Sequence, residues 1–331
     1  MKTQWTGFQS PLANAIEQFL AHKRALGRRF LTEEEHLRLF DRFLVQFGTQ
    51  RVDEITGEMV ERFLKSRPRG TARSFNHLLG LLRRLFDWLV GQDLLDRSPL
   101  NTHPRRETAT RIPYLFNTVQ ARQLLDIAGK QRNGPNAPLR GPTYRTIFAL
   151  LYGLGLRVGE VSRLCCRDLD MERHLLVIRQ TKFAKSRLVP FGPRMATLLK
   201  GYIHLRKQGS TSLLQEAPLV SFGRDQGVAT ATIRHTFHDL IRQLRIPIQP
   251  GVSSPRVHDL RHSFAVGTLL RWYRAGIPLQ TRLLRLSTFL GHVDPASTAV
   301  YLTITEELLQ EANHRFQGFA GLVPFEEGCH E

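Results

Sequence analysis

Between Arg256 and Tyr301 the chain reads Arg-Val-His-Asp-Leu-Arg-His-Ser-Phe-Ala, then an amphipathic stretch, then Leu-Gly-His-Val-Asp-Pro and Ser-Thr-Ala-Val-Tyr. His258, Arg261 and His292 are cationic or hydrogen-bonding groups, and Tyr301 follows them at short range. This inventory suits a phenolic nucleophile attacking a phosphodiester, with the charge that develops on the phosphoryl oxygens held by Arg and His. His258 and Arg261 are three residues apart, so they project from one side of a helical turn, and an imidazole there can give or accept a proton near neutral pH. Gly291 sits where a helix ends in a left-handed residue, which turns His292 toward the same pocket. By type alone a tyrosine is a core or interface residue. Its place at the end of an ordered set makes Tyr301 a candidate nucleophile.

Further upstream, Arg157 follows Gly153-Leu-Gly-Leu and precedes Val-Gly-Glu160. The glycines allow a sharp bend into a helix whose N-terminus favours an anion, and a guanidinium fork suits two phosphate oxygens. An ion pair between Arg157 and Glu160 is an equal alternative. Lys182 lies between two β-type runs, 175–180 and 186–190, at the tip of a hairpin. It is either a solvated turn lysine or an ammonium that reaches a groove and protonates a leaving oxygen. Lys185 reads as an ordinary backbone contact, and His262 equally well as a packing residue. Tyr273 is a rival nucleophile whose position fits packing better. His258, His262 and His292 lack the carboxylate or cysteine partners of a metal site, so neither metal nor cofactor is expected.

The elements that must position these groups are mostly helical. Over residues 11–100, Leu12, Ile16, Phe19 and Leu20 share one face, and Leu37, Phe40, Phe43, Leu44 and Phe47 another. Thr32 and Glu35 have capping-box spacing at the start of that second helix. Thr56 starts a third helix that closes at Arg67-Pro68, and a fourth spans 71–91 with Arg73, Arg83 and Arg84 on its outer face. Residues 101–115 have no period and include Arg105 and Arg106, the pattern of a basic extended linker able to follow phosphates. Asn117 caps the first helix of a second domain, with further helices at about 143–152, 192–206, 231–244, 259–275, 278–290 and 305–316. The expected fold class is mainly α with a small β-sheet (α+β), divided into a helical domain at 1–102, a linker at 103–115 and a second domain at 116–331.

Composition bounds the partners. The 331 residues carry a formal net charge of +18, and Lys and Arg outnumber Asp and Glu in both the first third and the remainder. Such an excess points to a polyanion such as nucleic acid. Cys165 and Cys166, inside an apolar segment, read as buried thiols, and three cysteines in all make no disulfide framework. No signal peptide or membrane-length apolar run is visible, so a soluble, cytoplasmic protein without membrane partners is expected.

The ordered set Arg157, Lys182, His258-x-x-Arg261, Leu290-Gly-His292 and Tyr301 resembles the tyrosine recombinase (phage integrase) family, over about residues 11–315. The resemblance implies that Tyr301 attacks the scissile phosphate to form a 3′-phosphotyrosyl link. It implies that Arg157 and Arg261 neutralise the phosphoryl oxygens with help from His258 and His292, and that Lys182 is the acid for the 5′-oxygen. It also implies a helical core-binding domain ahead of a catalytic domain, double-stranded DNA as partner, and a homo-tetramer on DNA, alone or with partner recombinases. Arg73, Arg83, Arg84, Arg105, Arg106 and Lys185 are the expected DNA contacts. The segment between Arg261 and His292 is longer than in compact members and is similar to transposon-encoded recombinases, which implies integration, excision or transposition of a mobile element. Two alternatives stay open: an accessory DNA-binding protein that lost the chemistry, and a type IB topoisomerase-like enzyme.

Overall fold

Apolar residues three and four apart build the first of two compact units, Met1–Thr110 and Arg111–Glu331. A computed structural model describes residues 7–28, 30–106, 112–179, 186–208, 214–223, 226–292, 294, 297–298 and 301. Lys182, Lys185 and the helix expected at 305–316 lie outside the described residues.

In the first unit, α1 (Ala13–Ala25), α2 (Leu31–Gln46), α3 (Gly57–Ser66) and α4 (Ala72–Val90) pack their stripes together. Phe40 lies at the centre, its ring 4.9 Å from Phe63 and 6.1 Å from Phe86. Thr56 Oγ1 accepts the Met59 N–H at 3.3 Å and Thr71 Oγ1 the Ser74 N–H at 3.2 Å, caps typically worth about 1 kcal/mol each. Two expectations fail here. No Thr32–Glu35 box starts α2; the helix begins at Leu31 behind Phe30, whose backbone is left-handed (φ 51°) with no side-chain cap. The buried Phe30 ring, edge-on to Phe19 at 6.0 Å, sets the entry instead. Phe47 does not join the core: it caps α2 beyond its last turn and is 44% exposed.

Arg73, Arg83 and Arg84 are exposed on α4 as expected. Past α4, Arg105 is held down: its N–H donates to Asn76 Oδ1 at 2.7 Å, and its guanidinium lies 3.9 Å from the Phe75 ring centre. Arg106 is exposed beside it.

The second unit is organised on α6 (Arg140–Gly153), whose Tyr144, Ile147, Phe148, Leu150 and Leu151 are buried. Around it lie α5 (Thr118–Gly129), α8 (Pro193–Gln208) and α10 (Val257–Arg274), with α7 (Val158–Arg163), α9 (Thr230–Leu244) and α11 (Leu279–Leu290) completing the described helices. Asn117 and Gln120 form the cap that opens α5. The hairpin is present as β2 (Leu175–Ile178) and β3 (Arg187–Pro190), antiparallel with Ile178 opposite Arg187. A two-residue strand that sequence did not anticipate, β1 (Leu169–Asp170), extends the sheet to the order β1-β2-β3. Cys165 and Cys166 are half-buried free thiols rather than core residues, because they open a 3-10 turn where Asp168 Oδ2 accepts the Cys165 N–H at 2.9 Å. Among the described residues no helix is long and apolar enough to cross a membrane.

Candidate active site

Helix α10 starts on a cap. Asp259, fully buried, accepts the Arg256 N–H at 2.8 Å through Oδ2. That fixed start sets the phase of the helix, so that His258, Arg261 and His262 fall on one side at spacings of three and four. One residue on, Ser263 Oγ accepts the Phe116 N–H at 2.8 Å and ties α10 to the segment entering α5.

The second positioning element is the turn after α11. Gly291 is left-handed (φ 69°), which a side chain rarely adopts. Three successive carbonyls of this turn each accept from a different arginine. Phe289 O takes Arg187 Nε at 2.8 Å, Leu290 O takes Arg261 Nη2 at 2.7 Å, and Gly291 O takes Arg157 Nη2 at 2.8 Å. Arg261 Nη1 donates in addition to Gly155 O at 2.6 Å. Neutral backbone oxygens therefore aim the guanidiniums and leave most of their charge uncompensated.

Glu160 is the exception. Its carboxylate, buried in the first turn of α7, caps Arg157 N at 2.9 Å and accepts from Arg157 Nη1 at 2.8 Å. It also takes a bidentate pair from Arg187 at 2.9 and 2.8 Å. Burial pulls its pKa up, but the Arg187 bonds and charge, with Arg157, outweigh it and hold the carboxyl at about 2. The ion pair of Arg157 with Glu160 is thus formed, while Arg157 Nη2 is turned to Gly291 O. The helix N-terminus adds little, since α7 has six residues and Glu160 occupies its first turn.

The site gathers Arg157, His258, Arg261, His292 and Tyr301, and adds His262. Tyr301 is 4% exposed, among Ala265, Leu269, Leu286 and Leu290. Its Oη shares a 3.0 Å hydrogen bond with His262 Nδ1, and its ring lies 6.3 Å from that of His292 in a stacked orientation. His292 Nδ1 is in turn fixed by Thr298 Oγ1 at 2.7 Å. His258 and His262 meet edge to face at 4.6 Å. Tyr273 packs, partly buried, against the apolar residues of α10 and α11, as expected.

Electrostatics follow from crowding cations with one carboxylate. Burial, then the neighbouring Arg157 charge, brings Arg261 down to about 9. Loss of hydration, then Arg261, holds His292 at about 4, and the same causes hold His258 at about 4 although part of its ring is open to solvent. His262 falls to about 3 through burial and then His258. Burial raises the Tyr301 phenol, while Arg261 and Arg157 pull it back. At neutral pH the imidazoles are uncharged and the phenol keeps its proton. Among the described residues no three His, Cys, Asp or Glu side chains group as metal ligands.

Sequence reasoning missed Arg187 and Thr298 and gave His262 no role of its own. The i, i+4 spacing of His258 and His262 was the only local signal for the last.

Residues 117–307 match the phage integrase family. A putative integrase/recombinase of Sinorhizobium fredii, y4rB, is 32% identical over 93% of this chain and 98% of its own length. A tyrosine recombinase XerA of Pyrococcus furiosus is 24% identical over 94% of this chain and 96% of its own. Among solved structures, a Tn1549 transposon integrase in complex with a circular intermediate DNA aligns with a TM-score of 0.64 at 16% identity, over 93% of this chain and all (100%) of that one. A lambda integrase dimer bound to a COC′ core site aligns at 0.60 and 14% identity, over 88% and 76%. These two structural likenesses speak to the fold.

Proposed function

The chain belongs to the phage integrase family and is a tyrosine site-specific recombinase, and from that premise we propose that it cuts and rejoins duplex DNA through Tyr301. In this reading Oη attacks the scissile phosphorus and forms a 3′-phosphotyrosyl link, and the 5′-oxygen leaves. Arg157 and Arg261 hold the non-bridging oxygens, and His258 and His292 add hydrogen bonds. Lys182, outside the described residues, protonates the leaving oxygen. The observation that carries the reading is the convergence of two backbone-aimed guanidiniums and the histidines on one buried tyrosine. Cations fixed before the reaction stabilise the pentacoordinate state more than the ground state, because nothing must reorganise as charge develops. The phosphotyrosine conserves the phosphodiester's energy, so the residues need no nucleotide and no metal.

The partner is double-stranded DNA, in line with the solved transposon integrase in complex with a circular intermediate DNA, and the first unit supplies the core-binding grip. Arg73, Arg83, Arg84, Arg105 and Arg106 of the first unit and Lys185 of the second are the proposed contacts with phosphates. Strand exchange between two duplexes requires four such sites, hence a tetramer on DNA. The long α10–α11 region, similar to transposon-encoded members, favours movement of a mobile element.

The test is covalent trapping on nicked duplexes tiled across the DNA flanking the coding sequence. The wild type should give a slow, protease-sensitive protein–DNA band on a denaturing gel, absent from Tyr301→Phe. A band that persists in the variant removes Tyr301 as nucleophile. Tight binding without any band selects the accessory reading or an obligatory partner recombinase instead.

A further inference from the structure

Attack by Tyr301 requires its proton to leave, to a base within hydrogen-bond reach of Oη. Burial raises the phenol, so it does not ionise unaided near neutrality. The hydrogen bond of Oη runs to Nδ1 of His262 at 3.0 Å, with the rings 5.4 Å apart and edge to face. A neutral imidazole has one acceptor nitrogen, so Nδ1 can receive the phenol's hydrogen in the tautomer whose Nε2 carries the ring hydrogen.

We infer that His262 is the catalytic base of strand cleavage, taking the phenolic proton of Tyr301 as Oη bonds to phosphorus. This rests on Tyr301 being the nucleophile. In the forward step the Oη–P bond forms, the P–O5′ bond breaks and the phenolic proton moves to Nδ1. The departing O5′ takes its proton from Lys182. In rejoining, the 5′-hydroxyl attacks, Oη leaves phosphorus and recovers its proton from Nδ1. The geometry gives the bond to Oη to His262, whereas His258 meets the His262 ring edge to face at 4.6 Å. The groups around His262 are His258 and Arg261 on α10 with Arg256 ahead of it, His292 from the turn after α11, and Tyr301 itself. All but Tyr301 are basic, so the imidazole is neutral and vacant before DNA arrives. A phosphodiester anion between Arg157 and Arg261 offsets their charge and strengthens His262 as a base at the moment it is needed.

The experiment compares the full-length wild type with His262→Asn, His262→Ala, Lys182→Ala and Tyr301→Phe on the duplex that wild-type trapping yields. Single-turnover formation of the covalent link is followed against pH. Asn can still accept the phenol's hydrogen bond but cannot take its proton, so it separates positioning from proton transfer. The expected result is a loss of about 10² to 10⁴ in rate for His262→Asn near neutrality, shrinking as pH rises and the phenol ionises by itself, with unchanged DNA affinity. A substrate with sulfur in place of the bridging 5′-oxygen needs no acid. It should restore Lys182→Ala and leave His262→Asn slow.

A His262→Asn rate within about threefold of wild type overturns the inference, and so does rescue by the sulfur substrate. If Tyr301→Phe still forms the link, or no duplex is linked by the wild type, the parent reading fails instead. Histidine ¹⁵N spectra of the DNA-free protein give a check independent of the substrate. A His262 ring protonated on Nδ1 at neutral pH overturns the proposal, and the Nε2-H form agrees with it.

Discussion

Glu160 serves two guanidiniums at once, and Arg187 is the stronger tether. Arg187 is nearly buried, and each of its three nitrogens donates to Glu160 or to Phe289 O. It touches neither Tyr301 nor any group proposed to meet phosphate, so its effect passes through Arg157 and the Leu-Gly-His turn. Removing it leaves Glu160 buried and half-paired, a situation that typically costs about 3 to 5 kcal/mol. Arg187→Ala should therefore lower the midpoint of denaturant unfolding and cut strand cleavage about 10²-fold. Arg187→Lys, which keeps charge but loses the fork, should fall between. Cleavage and midpoint both equal to wild type in Arg187→Ala would remove this tether. Arg157, His258, Arg261, His292 and Tyr301 were legible because their neighbours in sequence form short motifs. Arg187 was not, since its partners lie 27 and 102 positions away, and nothing local marks a strand arginine as buried. The Tyr301 partner, 39 residues off, was hidden for the same reason.

At the level of elements, two glycines do what no other residue could. Gly155 (φ 60°) would place a Cβ 2.5 Å from the Phe264 ring, and Gly291 would place one 2.8 Å from Arg187 Nη1. Both stand at backbone carbonyls that aim an arginine. Gly291→Ala should cost about 1 to 2 kcal/mol from the left-handed backbone alone. Because the three gripping carbonyls move with the turn, it should also reduce cleavage far more than DNA affinity; equal losses in both would show that the turn serves binding rather than chemistry. Among the described residues, helix existence was readable from apolar spacing and from Thr56 and Asn117. Helix starts were less so: the Thr32–Glu35 spacing fits a capping box, yet a buried Phe30 decides the entry through a contact with Phe19 that a local pattern does not contain. The short β1 strand escaped because two residues carry no periodicity.

Over the whole molecule, the basic excess makes acid a destabiliser. His262 at about 3 and His292 at about 4 lie below the 6.5 of an unfolded histidine. As pH falls through about 6.5 the unfolded chain therefore binds protons that the native site refuses, and stability declines. At about pH 5 each histidine should contribute roughly 2 kcal/mol of this loss. Glu160, at about 2 against 4.5, acts in the same direction at lower pH: its contribution is complete above about 4.5 and fades toward 2. The melting temperature should fall steadily between about pH 7.5 and 4.5, and by less in His262→Gln, which has no imidazole to protonate. A flat profile in calorimetry would mean that these imidazoles titrate in the native state as they do in the unfolded chain.

Arg261 has a meaning beyond the reaction. It is buried to 1% exposure against the carbonyls of Gly155 and Leu290, with no carboxylate within ion-pairing distance among the described residues. A lone interior cation is what a chain selected only for folding would discard, and an apolar residue of similar size would leave the free protein more robust. The chain instead keeps this cation, while its one nearby carboxylate, Glu160, is spent on Arg157 and Arg187. In the proposed function the missing counter-charge comes from outside, as a phosphate. In that sense the nucleic acid is the last piece of the interior, and the protein without it is an unfinished structure held ready.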